Sequence, residues 1–381
     1  MRNPPILTLN AGSSSLKFAL YAGEDQRLRG QVERIGSPEA TLKLARREIA
    51  IGGVDHAGAL AAILEAIGPN LNGQRLAGIG HRIVHGGVEF AAPAALTPDV
   101  MHRLEALSPL APLHQPHNLA AVHAAQTAFP GVPQIGCFDT AFHRGHPWVN
   151  DTFALPRALY EQGIRRYGFH GLSYDYITGH IAAHYPELRD ARVVIAHLGN
   201  GASMCATRGG KSIGSTMGFS ALDGLAMGTR CGQLDPGVLL YLMGQRGMSV
   251  EAVSNMLYRE SGLKGLSGIS SDMRELEGSD APEAREAIEY FTFRIRRELG
   301  AMTAVLGGID ALVFCGGIGE NSAAVRADVM AGMGYLGLEI DAVANQENAV
   351  EIGAGAARIM VVKTDEERVI ARAVLQAIAA K

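Results

Sequence analysis

The sequence predicts an α/β protein in which one plan is used twice, giving two lobes with a cleft between them. Three observations carry this. Strand-like and helix-like apolar patterns alternate along the chain. Each half opens with the same unit, an apolar strand, a small-residue turn and a returning strand, first as ILTLN-AGSS-SLKFALY and again as VVIAHL-GNG-ASMCAT. A turn-rich stretch, HRGHPWVNDTFALP, with the only Trp, separates the halves.

The elements follow in order. After the strands ILTLN and LKFALY come a helix around Asp55 to Ile67, the strand GIGHRIVHGG, a helix around Pro116 to Phe129 and the strand VPQIGCFD. The second cycle continues from VVIAHL through helices around Pro236 to Gln245 and Glu283 to Leu306, the strand ALVFCGG and a helix from Ser322. The last helix, Glu366 to Ala380, is expected to cross back to the first lobe. With 381 residues, 47% apolar and 19% charged, the chain is long enough for two domains. The expected division is 1–143 with 368–381 against 144–367.

A net charge of -4 gives no broad basic field, which argues against nucleic acid or an anionic membrane as partner. The start, MRNPPILTLN, lacks a basic region followed by an apolar core, and no apolar run reaches the ~18 residues of a membrane span. The cysteines Cys137, Cys205, Cys231 and Cys315 form no C-x-x-C pair, so reduced thiols in a cytoplasmic enzyme are expected.

Two motifs mislead. The G-x-G-x-x-G of Gly332, Gly334 and Gly337 follows a helical pattern instead of a strand. Gly210-Lys211-Ser212 resembles the end of a P-loop, but Cys205 stands where the first glycine is needed, and a hairpin turn explains it better.

Three turns suit phosphate. Asn10 to Lys17 (NAGSSSLK) offers close backbone approach, hydroxyls and a lysine, though a solvated hairpin tip has the same composition. His197-Leu-Gly-Asn-Gly201 duplicates it. Gly316 to Asn321 (GGIGEN) reads as a glycine turn between a buried strand and a helix, where amides meet a nucleotide or merely cap the helix. Basic residues cluster beside glycines at His81-Arg82 with His85, at Arg165-Arg166 with His170, and at Arg230, as an anionic substrate requires. Most of the 13 histidines are expected to be structural.

Taken together, LTLNAGSSSLKFALY, GHRIVHGG, PLAPLHQPHNL, CFDTAFH, YGFHGLSY, IAHLGNGAS, MGTRCGQLDPG, SGISSDMRELE, GGIGENS and TDEER, in order from about Ile6 to Arg372, resemble the acetate kinase family. The resemblance implies the duplicated, ribonuclease H-like fold shared with actin, Hsp70 and sugar kinases. It implies reversible phosphoryl transfer between ATP and acetate, giving acetyl phosphate and ADP, in a cytoplasmic homodimer.

It also implies roles. Asn10 and Glu366, with Glu367 a close competitor, would hold Mg²⁺, with Mn²⁺ as an alternative; two oxygen ligands suit a cation that keeps waters and phosphates. Lys17 would contact ATP, as would His197, Leu198, Gly199, Asn200 and Gly201, then Asp272, Met273 and Arg274, and finally Gly317, Ile318, Gly319, Glu320 and Asn321. Arg82 would pair with the substrate carboxylate, His114 would be a further active-site histidine, and Asp139, His170 and Arg230 would be catalytic. A carboxylate with a pKa of about 4 is already ionised at neutral pH and needs no general base. Asp139 is therefore expected to orient charge while positive groups cancel the repulsion between two anions in direct in-line transfer.

The chain departs from the family at 214–225, GSTMGFSALDGL, where DTSMGFTPLEGL is usual. Ala221 replaces the proline that would line the acyl pocket with Val84, Leu113 and Phe169, so propionate is an alternative acceptor. A nonenzymatic ATP-switched protein and a sugar kinase are weaker alternatives.

Overall fold

The computed structural model describes residues 3–45 and 47–380. The chain divides into two units, Met1–Arg144 with Asp365–Lys381, and Gly145–Thr364.

The first unit holds β1 (Pro5–Ala11), β2 (Ser15–Ala22), β3 (Asp25–Glu33), β4 (Thr41–Leu44), β5 (Arg47–Ala50), β6 (Gly78–Ile83), β7 (Ala94–Ala95) and β8 (Gln134–Phe138) in one sheet of order β5-β4-β3-β2-β1-β6-β8-β7. The second holds β9 (Arg192–Leu198), β10 (Ala202–Arg208), β11 (Lys211–Ser215), β12 (Ala311–Cys315) and β13 (Arg358–Val361) in the order β11-β10-β9-β12-β13. Without its edge strands the first sheet reads β3-β2-β1-β6-β8. The two sheets then agree strand for strand, three antiparallel strands followed by two parallel to the first. This is the duplicated α/β fold.

The central strands show why. In β1 (PILTLNA) and β9 (RVVIAHL) residues two to five are buried, the sixth is a half-buried polar residue and the seventh is buried again. A strand covered on both faces must be apolar nearly throughout. The polar sixth residues are Asn10 and His197.

The last helix, Glu366–Ala379, lies on the first unit's sheet, where the strand leaves room for it. Gly78, Gly80 and Arg82 alternate onto one face of β6. A Cβ at Gly78 would stand 2.5 Å from Val374 Cγ1, and one at Gly80 would collide with Ile370. Helix residues 374, 370 and 366 thus meet strand residues 78, 80 and 82. Four helical residues advance about 6 Å and two strand residues about 6.6 Å, so the phases stay matched over this length. Asp365 caps the helix by accepting from Arg368 N.

Most sequence-predicted elements appear with ends shifted by a few residues, as in the helices His56–Leu71, Gln115–Ala128, Pro236–Gly244 and Pro282–Leu306. One differs in kind. GGIGEN is itself a helix, Gly316–Asn321, entered through Gly316 at φ 77°, where a Cβ would stand 2.7 Å from the Leu198 carbonyl. Gly209 and Gly210, both at positive φ, turn β10 into β11, which is the hairpin expected there. Gly334 opens a short 3-10 turn after the helix Ala323–Met330, without a preceding strand.

Candidate functional site

In the first unit the site grows from strand register. Asn10 on β1 pairs with Lys17 on β2. The β1–β6 ladder runs to Leu9 opposite His81, which puts Arg82 beside Asn10, and Arg82 pairs with Cys137 on β8, two residues before Asp139. Because strand side chains alternate, Asn10, Lys17, Arg82 and Asp139 share one face at the carboxyl ends of the parallel strands, where open α/β sheets bind ligands.

Arg82 ties the group together. Its Nε donates to Asp139 Oδ1 at 3.0 Å, its Nη2 donates to Asp139 Oδ2 at 2.5 Å, and its Nη1 donates to Asn10 Oδ1 at 3.1 Å. Glu366 Oε2 stands 3.8 Å from Arg82 Nε. Asp139 is buried, so removing its arginine would leave an unpaired buried carboxylate at a cost of about 3 kcal/mol. Burial alone would push the guanidinium's pKa down; the charges of Asp139 and Glu366 outweigh it and hold it raised.

Helix phase sets which glutamate stands at Arg82. Glu366 follows Val374 and Ile370 at four-residue spacing and so faces the sheet, whereas the contact at Arg82 is not made by Glu367. Its carboxyl is pushed up to about 7, first by burial, with Asp139 and Glu367 adding to this against Arg82 and Lys17. Asn10 and Glu366 offer hard oxygen donors, and a cation, the Arg82 guanidinium, already lies against both. The donor set fits a magnesium-like ion with few protein ligands.

Leu113 and His114 are half-buried just before the helix Gln115–Ala128, with His114 as its N-cap residue; Val84 is buried.

In the second unit His170 takes a left-handed conformation, φ 57°, at the start of the helix Gly171–His184. Its ring stacks on His197 at 4.3 Å, and its Nδ1 lies 2.8 Å from Ser203 Oγ. Tyr174 hydrogen-bonds the same hydroxyl. His197 Nδ1 lies 2.8 Å from Ser173 Oγ, which continues to Thr364. Both imidazoles are thus oriented by serines that the motif reading did not single out. Ser203 sits opposite His197 in the β9–β10 pairing, a register signal available only once the hairpin is placed.

The turn Leu198–Gly201 lies under these rings. A Cβ on Gly201 would stand 2.7 Å from Arg230 Nη2 and 3.2 Å from His170 Nε2, and one on Gly199 would be 3.8 Å from Gly317 N. Asn200 packs against Gly228, whose N–H donates to the Asn200 carbonyl at 3.0 Å. Arg230 Nη1 donates to the carbonyl of Ala221 at 2.8 Å, so a main-chain oxygen at the departing position helps to orient it. Phe169 is buried beside His170.

Ile318 and Gly319 lie within the short helix Gly316–Asn321, where Glu320 turns inward and accepts from Gly316 N and Thr364 N. Asp272 caps the helix Met273–Glu277 and pairs with the exposed Arg274 through Oδ2 at 2.6 Å, which holds the Asp272 carboxyl below its usual range; the Met273 side chain is buried. Ser322 Oγ, at 2.5 Å from Glu277 Oε1, joins these two segments.

Comparisons with known proteins bear on the family of this chain. The acetokinase family model matches residues 5–372. The acetate kinase of Methylocella silvestris is 53% identical, with 96% of each chain covered, and that of Deinococcus radiodurans 43% identical over the same shares. Among solved structures, a propionate kinase from Francisella tularensis superposes with a TM-score of 0.92 at 36% identity, covering 97% of this chain and 98% of its own. The Porphyromonas gingivalis acetate kinase gives 0.89 at 36%, covering 98% and 99%. A motif series spanning the chain, a duplicated fold and relatives of matching length lead to one conclusion: this chain belongs to the acetokinase family.

Proposed function

We propose that this protein is an acetate kinase, transferring the terminal phosphoryl group of ATP directly to acetate and back. The observation that carries this reading is the Arg82 cluster. It places a half-buried guanidinium, an amide oxygen and two carboxyls on one sheet face, a set suited to an anionic substrate and a divalent cation.

In this reading Arg82 binds the acyl carboxylate, Lys17 contacts the nucleotide, and Asp139 fixes the guanidinium plane through its two-point contact. Acetate arrives ionised, so Asp139 removes no proton. In the second unit the Gly199–Gly201 amides hold phosphate, while His170 and Arg230, both beside Gly201, stabilise charge on the transferring group. The Asp272–Arg274 and Gly317–Asn321 segments take the nucleoside. Mg²⁺, held by Asn10 and Glu366, supplies neutralising charge when bound.

Val84, Leu113, Phe169 and Ala221, the residues that the family resemblance assigns to the acyl group, are all apolar, which favours a short apolar acyl chain. One methylene in such a site changes affinity by only about 1 to 3 kcal/mol, and the small Ala221 favours propionate as a slower second acceptor. Trapping the product with hydroxylamine tests this: acetate gives hydroxamate fastest, propionate less, and no hydroxamate from any short acid would refute it.

The reading includes a cytoplasmic homodimer. No helix among the described residues is long and apolar enough to cross a membrane. Yet the helix Pro236–Gly244 (PGVLLYLMG) buries none of its residues, leaving Leu240 75% and Tyr241 53% exposed, which supports a second copy as its cover. Sedimentation equilibrium showing a monomer at micromolar concentration would remove the dimer.

A further inference from the structure

At the carboxyl end of the first sheet β1 and β6 separate. Their ladder ends at Leu9 opposite His81, although the site residues Asn10 and Arg82 come next. Where the ladder stops, the first turn of the helix Gln115–Ala128 inserts two buried amides. Asn118 Nδ2 donates to the Ala11 carbonyl at 2.6 Å, and Asn118 Oδ1 accepts from Val84 N at 2.9 Å. Gln115 Oε1 accepts from His85 N at 3.2 Å while its Nε2 donates to the His85 carbonyl at 3.0 Å. Neither side chain is more than 2% exposed.

We propose that Asn118, backed by Gln115, is a positioning residue for phosphoryl transfer: its amide replaces the missing ladder bonds and fixes how far the Asn10 strand end stands from the Arg82 strand end. This rests on the acyl-kinase reading above. A primary amide carries a donor and an acceptor in one plane, as a peptide group does, so it can bridge a carbonyl on one strand and an N–H on the next. A carboxylate lacks the donor and an alkyl group lacks both. Ala11 follows Asn10 directly and Val84 lies two residues past Arg82, so the bridge holds main chain on both sides of the 3.1 Å contact between those side chains. Losing it frees the strand ends to shift, and small misplacements at a reacting centre have large kinetic effects.

The test is Asn118→Leu in the full-length enzyme, a side chain of similar size that removes both the acceptor for Val84 N and the donor to Ala11. The expected result is a KM for acetate raised about tenfold and kcat lowered about tenfold or more, with KM for ATP changed by less than about threefold, because Lys17 and Asn10 are the nucleotide-side residues of this unit and the other proposed nucleotide segments belong to the second. Asn118→Ser, which keeps a donor and an acceptor on a shorter side chain, should restore part of the acetate KM, and it carries the same test if the Leu variant does not fold. A folded variant with all three constants within about twofold of the parent overturns the proposal. So does a fall in kcat alone that matches the loss of folded protein by circular dichroism. Hydroxamate formation by the parent enzyme, run alongside, separates failure of this inference from failure of the kinase reading.

Discussion

The two units repeat one plan and differ at three matched positions. In the first, the polar residue of the central strand is Asn10, its antiparallel partner is Lys17, and its parallel neighbour is Arg82. In the second the same places hold His197, Ser203 and Cys315. One set carries formal charge and is closed over by Glu366 from a helix. The other carries no fixed charge, and the Arg230 guanidinium and His170 imidazole reach its glycine turn from outside the sheet. Duplication thus supplied two strand ends of equal geometry, and substitution at three register positions made one an ionic site and the other a backbone site.

The largest effect that would sharpen this contrast is Arg82→Ala. Steady-state kinetics should show kcat/KM for acetate down about 100- to 1000-fold, with KM for ATP changed by less than about threefold. An equal loss on both substrates would break the division of labour between the units.

Ser203→Ala probes the neutral set. His170 would keep its stacking on His197 but lose the hydroxyl at its Nδ1. Removing an orienting partner of this kind typically costs about 10- to 100-fold, so kcat should fall about tenfold while KM for acetate stays level. An unchanged kcat would make the serine dispensable for orienting the ring.

The smallest effect is on stability. His81, on β6 where the second unit has Phe314, is fully buried against Gln134 Oε1 at 2.6 Å, and burial depresses its pKa to about 4; His85 is depressed further by burial and by Arg144. A depressed folded pKa means the unfolded chain takes up the proton first. His81 therefore contributes stability that is full above about pH 6.5 and is lost toward pH 4, on the order of 3 kcal/mol, whereas Glu366, raised to about 7 in the folded chain, contributes with the opposite sign between about pH 4.5 and pH 7. Urea titrations should show the stability of the parent falling more steeply than that of His81→Gln between about pH 6.5 and pH 4, the difference being the His81 contribution. A slope identical to that of the parent would mean that the ring is protonated in the folded state.

Much of this was legible in the sequence because strands covered on both faces must be apolar, which made the two strand-turn-strand units visible. Other features depend on phase or on direction and were not. Glu366 and Glu367 differ only in helical phase, and the helix must lie on Gly78 and Gly80 before one can be chosen. GGIGEN has the composition of a loop, yet a single left-handed glycine lets it run as a helix. The bridges made by Asn118 and Ser203 join side chains to distant partners, and neither residue type nor spacing announces them.

The return of the chain to its first unit bears on how the protein is made. The strands β1, β6 and β8 are synthesised early, but the helix that covers them and delivers Glu366 begins only at Glu366. Gly145–Thr364 can complete its own sheet while Gly78 and Gly80 still lack their cover. A nascent chain halted before Asp365 would therefore present a finished second unit beside an apolar sheet face awaiting its helix, an opportunity for a chaperone. The Arg82 cluster would then be the last part of the first unit to mature, since Glu366 reaches it only with the final helix.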